Sequence, residues 1–379
     1  YTVHLFDINA EALEKGAARI VKNYVTSVAK GRIKQGHMDG CLARFSTISS
    51  MQDAETSELI IEAATENIAI KKSIFRDLDA LAKLGCILAS NTSYLDVNLL
   101  AAETKRPSDV IGMHFFSPAN IMKLLEIVRT DSVSDDVIGT VMKVGKSIGK
   151  ISVLSGVCDG FIGNRMLKTY RKQAEYMLED GALPQDIDRV MRGFGFAMGP
   201  FEVSDLAGLD IGWHNSRRED ATRPPEERYS DIADKLYDLG RYGQKTGAGW
   251  YAYKKGSRTP IIDPLIAELL AANAERKNIE RQNFSDEEIL NRILFAMINE
   301  GAKILDEGIA LRALDIDMVY VHGYGFPAYR GGPMFYADQI GAPTIYEGIT
   351  NYAKADPYFW QASALLEKLA HRGGKFSDI

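Results

Sequence analysis

The chain has 379 residues, of which 25% are charged and 46% hydrophobic, and its formal net charge is −6. The length predicts two to three domains, and the composition is typical of a folded protein. The net negative charge argues against a general nucleic-acid binder, which usually has a basic excess. The three cysteines lie far apart and the six histidines show no metal-ligand spacing, so neither a disulfide scaffold nor a metal site is expected. The sequence contains no run of about 18 apolar residues, so no membrane span is predicted.

Predicted strands and helices alternate through the first part of the chain. Helical periodicity covers residues 10–30 and 67–83. Alternation of this kind is typical of a parallel sheet with helices on both faces. The apolar runs that predict strands lie at residues 2–7, 58–64, 86–90, 110–116, 124–129 and 151–154.

Asp7 ends the first predicted strand and is the first chemical clue. In a dinucleotide-binding unit, an acid at the end of the second strand binds the ribose hydroxyls, about 20 residues after a G-x-G-x-x-G turn. The sequence contains neither that turn nor the strand before it. Without that central strand the backbone beside residues 2–7 and 58–64 would be unpaired, so the chain is expected to be a piece of a larger unit or a damaged domain. The alternative is an aspartate that simply ends a strand.

Two titratable side chains stand alone within apolar strands. His114 lies in VIGMHFF and Glu126 in LLEIVR, with the turn-like sequence SPAN between them. If the two strands form a hairpin centred near Asn120, His114 and Glu126 lie opposite each other. A carboxylate on one ring nitrogen raises the basicity of the other, which suits a general base. The alternative is a buried His–Glu pair with a structural role only.

Polar residues follow two strands at their carboxyl ends, where open α/β sheets bind ligands. The sequence SNTS at residues 90–93 could orient a polar substrate, although the same residue types commonly form turns. Glu66 and Lys71 lie near the start of the next helix, where they could reach a cofactor. For these two residues a solvated first helical turn is the alternative.

The second half of the chain contains an internal repeat, in which residues 164–210 resemble residues 291–341. Both copies begin with a long helical segment, which predicts two related helical domains packed face to face. Asn291 has no dinucleotide domain of its own, so its counterpart Asn164 can also be purely structural. The matching segments are NRML at 164–167 with NRIL at 291–294, LEDG at 178–181 with LDEG at 305–308, GFGF at 193–196 with GYGF at 323–326, Gly199-Pro200 with Gly332-Pro333, and Asp205 with Asp338.

Taken together, these segments resemble the L-3-hydroxyacyl-CoA dehydrogenase family of fatty-acid β-oxidation over nearly the whole chain. The second helical copy is similar to the dehydrogenase half of multifunctional β-oxidation proteins, which carry an enoyl-CoA hydratase domain before the dehydrogenase. The motifs that carry the resemblance are SNTS at 90–93, GMHFFSP at 112–118, MKLLEI at 122–127, GFIGNR at 160–165, GQKTGAGWY at 243–251 and GYGFPAYRGGP at 323–333.

The resemblance implies the fold and the domain boundaries. A Rossmann-type α/β NAD-binding domain, here without its first strand and glycine turn, would span residues 1–156. Two related all-α domains would follow over residues 157–262 and 263–379. In single-function relatives the helical domain pairs with another subunit, whereas here the second copy would supply that contact within one chain.

The resemblance also implies four catalytic residues. His114 would act as the general base on the 3-hydroxyl of the substrate while a hydride leaves carbon 3 for the nicotinamide. Glu126 would orient His114 and stabilise the imidazolium. Ser93 and Asn164 would bind the substrate and hold its oxygen and thioester region near the nicotinamide.

NAD is the cofactor that the resemblance implies. Asp7 would bind the adenosine ribose and favour NAD over NADP, because a carboxylate repels a 2′-phosphate. The other cofactor-binding residues would be Ala64, Thr65, Glu66, Lys71, Ser93, Ser117 and Lys245.

The sequence departs from the family pattern at three places. Ser117 stands where the family often has asparagine, which is expected to weaken a contact beside the nicotinamide. Tyr94 stands where a small residue is common, which would narrow the acyl pocket. The glycine turn normally cradles the pyrophosphate, so a polypeptide that truly begins at Tyr1 is expected to bind NAD only weakly.

The expected partners are an acyl-CoA thioester substrate, an upstream enoyl-CoA hydratase domain, and either a thiolase or a second copy of the chain; no nucleic acid and no membrane span are expected. The expected location is the cytoplasm of a bacterium, because the sequence shows no secretory leader and residues 376–379 are not the S-K-L peroxisomal signal. Two alternatives stay open. The chain could be a catalytically silent scaffold that keeps acyl-CoA or subunit contacts, or a dehydrogenase of a free hydroxy acid.

Overall fold

The computed structural model describes residues 1–220 and 222–379. The chain divides into two compact units, with Tyr1–Met113 and Arg129–Val141 in unit 1, and His114–Val128 and Met142–Ile379 in unit 2. The strands are β1 (Val3–Leu5), β2 (Phe45–Thr47), β3 (Leu59–Glu62), β4 (Ile87–Ser90), β5 (Val110–Phe115), β6 (Leu124–Arg129) and β7 (Ile151–Ser155).

Helices join these strands and then make up the rest of the chain. They are α1 (Ala10–Ala29), α2 (Gln35–Leu42), α3 (Ile68–Leu81), α4 (Asn98–Ala101), α5 (Asp135–Ser147), α6 (Gly163–Asp180), α7 (Pro184–Phe194), α8 (Pro200–Ala207), α9 (Leu209–Glu219), α10 (Ile232–Asp238), α11 (Pro264–Lys277), α12 (Asp286–Asp306), α13 (Ala313–Gly323), α14 (Pro333–Ile340), α15 (Ala342–Tyr352) and α16 (Ala364–Arg372).

Unit 1 contains short parallel strand pairings with helices between them. β1 pairs with β2, β3 pairs with β4, and β4 pairs with β5, all in parallel. Every strand predicted from the sequence is present, with ends that differ by at most two residues. α2, β2, α4 and α5 are not predicted from the sequence; the first three have only three to eight residues, which is too short for a clear pattern.

Within the described residues, β1 has a partner strand only in β2, and β3 has one only in β4. The side chains of Val3 and Ile61 on these strands are 51% and 40% exposed. No residue of α1 is buried. The unpaired strand edges expected from the sequence are therefore present in unit 1, and apolar side chains beside them remain in contact with water.

Unit 2 is built around the two helical copies. It contains the last two residues of β5, β6 as far as Val128, and β7, which pairs with β6 in parallel. α6 heads the first copy and α12 heads the second, and these two helices make the most extensive helix–helix contact of the unit. One continuous apolar core draws side chains from both copies. The face-to-face packing predicted from the repeat is therefore confirmed, whereas the boundaries at residues 156 and 262 stay predictions.

The contacts between α6 and α12 repeat in a near-symmetric way. Arg165 of α6 donates from Nε to Glu300 of α12 at 2.6 Å. Arg292, the counterpart of Arg165, donates to Gln173, the counterpart of Glu300, at 3.4 Å. The two copies are thus related by an approximate two-fold arrangement in which each lead helix places an arginine on the other.

Each copy also contains a buried aspartate that accepts backbone N–H groups at the start of a short helix. Asp188 accepts from the N–H groups of Phe201 and Glu202 in α8, each at 3.0 Å. Asp317 accepts from the first residues of α14, with the Met334 nitrogen at 2.7 Å. Burial raises the pKa of both aspartates to about 7 against the opposite effect of these hydrogen bonds.

Candidate active site

His114 and Glu126 form a buried pair in unit 2. Nδ1 of His114 lies 2.8 Å from Oε2 of Glu126, and the two residues are 5% and 0% exposed. They lie on β5 and β6, which are neighbours in the strand order. The proximity predicted from the hairpin arithmetic is confirmed. Since the carboxylate occupies Nδ1, Nε2 is the ring nitrogen that can exchange a proton with another molecule.

The second oxygen of Glu126 is held by the backbone at the start of α6. The N–H of Gly163 donates to Oε1 of Glu126 at 3.0 Å. A carboxylate at a helix amino terminus is stabilised by the helix dipole as well as by the hydrogen bond. Both carboxylate oxygens are therefore fixed, and the orientation of the imidazole follows from them.

Aromatic rings surround the imidazole. The ring of Phe116 lies 4.5 Å from that of His114, centroid to centroid, and the ring of Phe161 lies 5.8 Å away. Phe161 is fully buried and has a positive φ of 50°, which a residue with a Cβ rarely adopts. These contacts limit the rotation of His114 and keep water from its buried face.

Asn164 is the first residue after Gly163 on α6, and a residue of the second copy contacts it. The hydroxyl of Tyr324 donates to Oδ1 of Asn164 at 2.8 Å. The Tyr324 ring also makes an edge contact with Phe116, at 5.5 Å between centroids. Asn164, His114 and Glu126 thus share one neighbourhood within unit 2.

In unit 1, Lys71 is buried in an ion pair that the sequence analysis did not identify. Its Nζ lies 2.7 Å and 3.0 Å from the two carboxylate oxygens of Glu62, and Ser90 donates to the same carboxylate at 2.6 Å. Lys71 is 1% exposed. The alternative of a solvated helical turn is therefore wrong for Lys71, because a lone solvated lysine would not be withdrawn from water.

Glu66 connects this ion pair to the SNTS segment. Its Oε1 accepts from the Thr92 hydroxyl at 2.8 Å and from the Ser93 backbone N–H at 3.0 Å. Its Oε2 lies 3.6 Å from Nζ of Lys71. Glu66 therefore orders the loop that carries Ser93, while its side chain is 38% exposed, so the solvated-turn alternative stays open for this residue.

Three of the residues expected to hold the cofactor, Asp7, Ala64 and Thr65, lie at carboxyl ends of strands in unit 1. Asp7 follows β1 and is exposed; its Oδ1 accepts from the Asn9 N–H at 2.8 Å, whereas Oδ2 accepts no hydrogen bond from the described residues. Ala64 and Thr65 follow β3, and Ala64 donates to Glu62 at 2.6 Å. An exposed carboxylate with an available oxygen at a strand end fits the ribose hydroxyls of a dinucleotide.

Lys245 and Ser117 lie in unit 2. Both carboxylate oxygens of Asp210 lie 2.6 Å from Nζ of Lys245. Ser117 lies in the segment between β5 and β6, which Lys150 holds by donating to the Met122 carbonyl at 2.6 Å. The structure therefore pairs Lys245 with a carboxylate, and a cofactor role for Lys245 and Ser117 stays a prediction.

Burial raises the pKa of the Cys158 thiol to about 11, so this thiol stays protonated at neutral pH. The described residues contain no group of three His, Cys, Asp or Glu side chains that could hold a metal ion. No helix in the described part of the chain is long and apolar enough to cross a membrane.

The sequence analysis assigned no role in the site to three residues of this region: Glu62, Gly163 and Tyr324. Glu62 was hidden by its position inside an apolar strand, although an acid in such a strand is itself a signal. The repeat could have identified Gly163 and Tyr324, because the two copies differ there. Leu290 precedes Asn291 where Gly163 precedes Asn164, and Phe194 stands where the second copy has Tyr324.

Two family models match the chain. The one described as 3-hydroxyacyl-CoA dehydrogenase, NAD binding domain, matches residues 1–158. The one described as 3-hydroxyacyl-CoA dehydrogenase, C-terminal domain, matches residues 160–253 and again residues 289–376. The second model thus matches both helical copies, in agreement with the internal repeat.

Named relatives are similar over most of the chain. The peroxisomal bifunctional enzyme of Cavia porcellus is 43% identical over 376 residues, which is 95% of this chain and 52% of that protein. The glyoxysomal fatty acid beta-oxidation multifunctional protein of Brassica napus is 35% identical over 380 residues, 100% of this chain and 52% of that protein. The chain spans about half the length of the curated relatives it matches.

Solved structures share the fold. The dehydrogenase part of multifunctional enzyme 1 from C. elegans has a TM-score of 0.68 and 27% identity, covering 97% of this chain and 83% of that one. 3-Hydroxybutyryl-CoA dehydrogenase from Escherichia coli has a TM-score of 0.85 and 24% identity, covering 98% and 93%. The expected architecture, a Rossmann-like domain followed by helical domains, is confirmed.

Proposed function

The chain belongs to the 3-hydroxyacyl-CoA dehydrogenase family, and from this premise we propose that it oxidises L-3-hydroxyacyl-CoA thioesters to 3-ketoacyl-CoA with NAD, as a step of fatty-acid β-oxidation. The observation that carries the proposal is the buried His114–Glu126 pair, whose carboxylate is also fixed by Gly163. The relatives named for fatty acid beta-oxidation support the same pathway.

His114 is the proton acceptor in this proposal. Nε2 removes the proton of the 3-hydroxyl, and the electron pair of the O–H bond forms the new carbonyl. NAD, when bound, accepts the hydride that leaves carbon 3. The resulting imidazolium is stabilised by Glu126, which is held in place on both oxygens. General base catalysis of this kind typically contributes about 10²–10⁴-fold.

The remaining residues bind and orient. Asn164 presents its side-chain amide to the substrate oxygen, and Ser93 contributes a hydroxyl on the loop that Glu66 orders. Asp7 holds the adenosine ribose, while Ala64, Thr65, Glu66 and Lys71 form the cofactor-binding segment after β3. Ser117 and Lys245 are proposed as further cofactor contacts. The pairing of Lys71 with Glu62 supports a rigid segment at this strand end.

The test is NADH-dependent reduction of acetoacetyl-CoA by the intact protein. We expect His114→Ala and Glu126→Gln to lower kcat by roughly 10²–10⁴-fold. Glu179→Gln is the matched control for Glu126→Gln, because Glu179 is equally buried but is bonded to Asn273 and Lys277 within the helical unit. His371→Ala is the control for His114→Ala.

The same assay separates the two alternatives. A protein that binds acyl-CoA but gives no NADH-dependent reduction of any 3-ketoacyl-CoA would be the silent scaffold. Faster turnover of a free 3-keto acid than of its CoA ester would identify a hydroxy-acid dehydrogenase. A calorimetric titration with NAD reports whether the 379-residue chain binds the cofactor.

Relatives named bifunctional or multifunctional support a second activity in the intact protein. We propose enoyl-CoA hydratase activity, which is tested by hydration of crotonyl-CoA. A thiolase partner and a homo-oligomer stay predictions for co-purification and sedimentation. The cytoplasmic location expected from the sequence is not supported, because the named relatives are peroxisomal or glyoxysomal; an organelle is the better proposal, tested by imaging the tagged intact protein with a peroxisomal marker.

A further inference from the structure

We propose that Tyr324 is a positioning residue of the active site, through which the second helical copy orients Asn164 of the first copy. The proposal rests on the proposed dehydrogenase function, because it assigns Asn164 a contact with the substrate. It makes the second copy a working part of the active site rather than a packing partner only.

The geometry around the Tyr324 hydroxyl supports this role. The hydroxyl donates to Oδ1 of Asn164 at 2.8 Å. The ring stacks on Tyr320 with centroids 5.0 Å apart and meets Phe116 edge-on at 5.5 Å. The side chain is therefore held on two sides, and Phe116 in turn contacts His114. A donor that is fixed in this way can set the orientation of the amide it contacts.

Gly163 is the residue that makes room for this ring. A Cβ built on Gly163 would lie 2.3 Å from Cε2 and 2.5 Å from the hydroxyl oxygen of Tyr324. The same glycine donates its N–H to Glu126 and accepts from the Tyr320 hydroxyl at 3.3 Å. The backbone that fixes Glu126 is thus in contact with Tyr320, which lies in α13, and with Tyr324, which directly follows α13.

The internal repeat provides a comparison within the same molecule. The counterparts of Gly163, Asn164 and Tyr324 are Leu290, Asn291 and Phe194. At these counterpart positions, Asn291 is matched by a phenylalanine that has no hydroxyl to orient it. Leu290 stands where Gly163 makes room for the ring of Tyr324. Other features, such as the buried aspartates 188 and 317, are kept in both copies. The symmetry is broken at the copy interface beside His114, which favours a role beyond packing.

The chemistry of the amide explains why the hydroxyl matters. A primary amide has an acceptor end and a donor end, and a substrate carbonyl oxygen can bind only the donor end. A hydroxyl that donates to Oδ1 selects the amide orientation in which Oδ1 faces Tyr324 and Nδ2, the donor end, points to the opposite side. Loss of this hydroxyl leaves both orientations of the Asn164 amide accessible. A smaller fraction of the protein molecules then has the donor end of the amide in position to bind the substrate oxygen.

Tyr324→Phe tests the proposal, because it removes only the hydroxyl and restores the residue found in the first copy. We expect kcat/KM for acetoacetyl-CoA to fall about 3- to 10-fold, the worth of one hydrogen bond, with KM for NADH unchanged. Tyr329→Phe is the matched control, since its hydroxyl also joins the copies, at the Phe194 carbonyl 3.1 Å away. We expect Tyr329→Phe to keep full activity and to shift the unfolding midpoint as much as Tyr324→Phe does.

A double-mutant cycle with Asn164→Ala shows whether Tyr324 acts through Asn164. We expect Tyr324→Phe to cause no further loss of kcat/KM in the Asn164→Ala background. Additive losses, a raised KM for NADH, or full activity of Tyr324→Phe would overturn the inference while His114→Ala still identifies the enzyme. An intact protein without activity, or with activity untouched by His114→Ala, would overturn the proposed function and the inference together.

Discussion

Glu126 is useful as a charged residue only because both of its oxygens have donors. A carboxylate with no exposure pays a large desolvation cost unless hydrogen bonds and an opposite charge compensate it. His114 supplies one donor, and the Gly163 N–H supplies the other from the start of α6. The position of this single carboxylate therefore depends on a strand, a helix terminus and a side chain at once.

Gly163→Ala tests how tightly this residue is packed. The added Cβ would overlap the Tyr324 ring, so we expect a loss of about 1–3 kcal/mol in the free energy of unfolding and a clear loss of activity. Gly193→Ala is the control, because Gly193 also lies in a helix and has open space around it. We expect that control to be neutral or to stabilise by about 0.4–1 kcal/mol. Equal effects of both changes in urea unfolding would contradict the packing argument.

The buried pair of Glu62 and Lys71 gives a second prediction at this scale. Glu62→Gln leaves the Lys71 ammonium buried without its main partner, so we expect a loss of about 3–5 kcal/mol. The double variant Glu62→Gln, Lys71→Met should lose less than the sum of the two single variants. The exposed pair of Glu11 and Lys15 is the control, and Glu11→Gln should cost under about 1 kcal/mol. Additivity of the two buried changes in chemical denaturation would show that the pair does not act as a unit.

At the scale of elements, the repeat shows which contacts a helical copy needs to fold. Both copies keep a buried aspartate at the start of a short helix, with a glycine whose Cβ would overlap that aspartate. These glycines are Gly199 beside Asp188 and Gly332 beside Asp317. The two aspartates differ in their number of donors. Asp188 of the first copy also accepts from the Tyr251 hydroxyl at 2.7 Å, in addition to its two backbone N–H groups. The first copy therefore depends more heavily on its aspartate.

Asp188→Ala should accordingly destabilise the protein more than Asp317→Ala. Removal of Asp188 leaves two backbone N–H groups and a tyrosine hydroxyl without an acceptor, and we expect a cost of about 2–4 kcal/mol. Removal of Asp317 leaves only two backbone N–H groups, so about 1–3 kcal/mol is expected. Urea unfolding of the two variants checks this order, and a greater cost for Asp317→Ala would contradict it.

At the scale of the whole molecule, the helical unit has one core rather than two. Apolar residues of both copies belong to one cluster, and α6 and α12, which both contribute to it, pack against each other. Neither copy can lose its structure without exposing apolar surface of the other, which is a large free-energy cost. The two related halves therefore share one apolar core.

We predict that the two copies unfold in one transition. Trp250 in the first copy and Trp360 in the second are each 2% exposed, so each reports on its own copy by fluorescence. Variants that retain only one of the chain's three tryptophans should give the same unfolding midpoint in urea. Separate midpoints for the Trp250 and Trp360 signals would show that the copies are independent folding units.

Strands with a strong apolar pattern were predictable, and β6 matches its predicted range of 124–129 at both ends. α2 and β2 were not, because short elements are stabilised by tertiary pairing rather than by local pattern. At the site, the proximity of His114 and Glu126 followed from strand spacing together with an assumed hairpin centred near Asn120. The burial of Lys71 did not, since it depends on Glu62 and Ser90, which lie 9 and 19 residues away along the chain.

The sequence by itself determined the family, the general alternation of strands and helices, the repeat, and the pair of residues proposed for proton transfer. These follow from periodicity and motif spacing, which are local properties of the chain. Only the tertiary structure decided that Gly163 completes the Glu126 site, that Tyr324 reaches Asn164 from the other copy, and that Lys71 is buried. The physical reason is that hydrogen bonds and close packing are set by distances between elements, and such distances depend on how whole helices and strands pack.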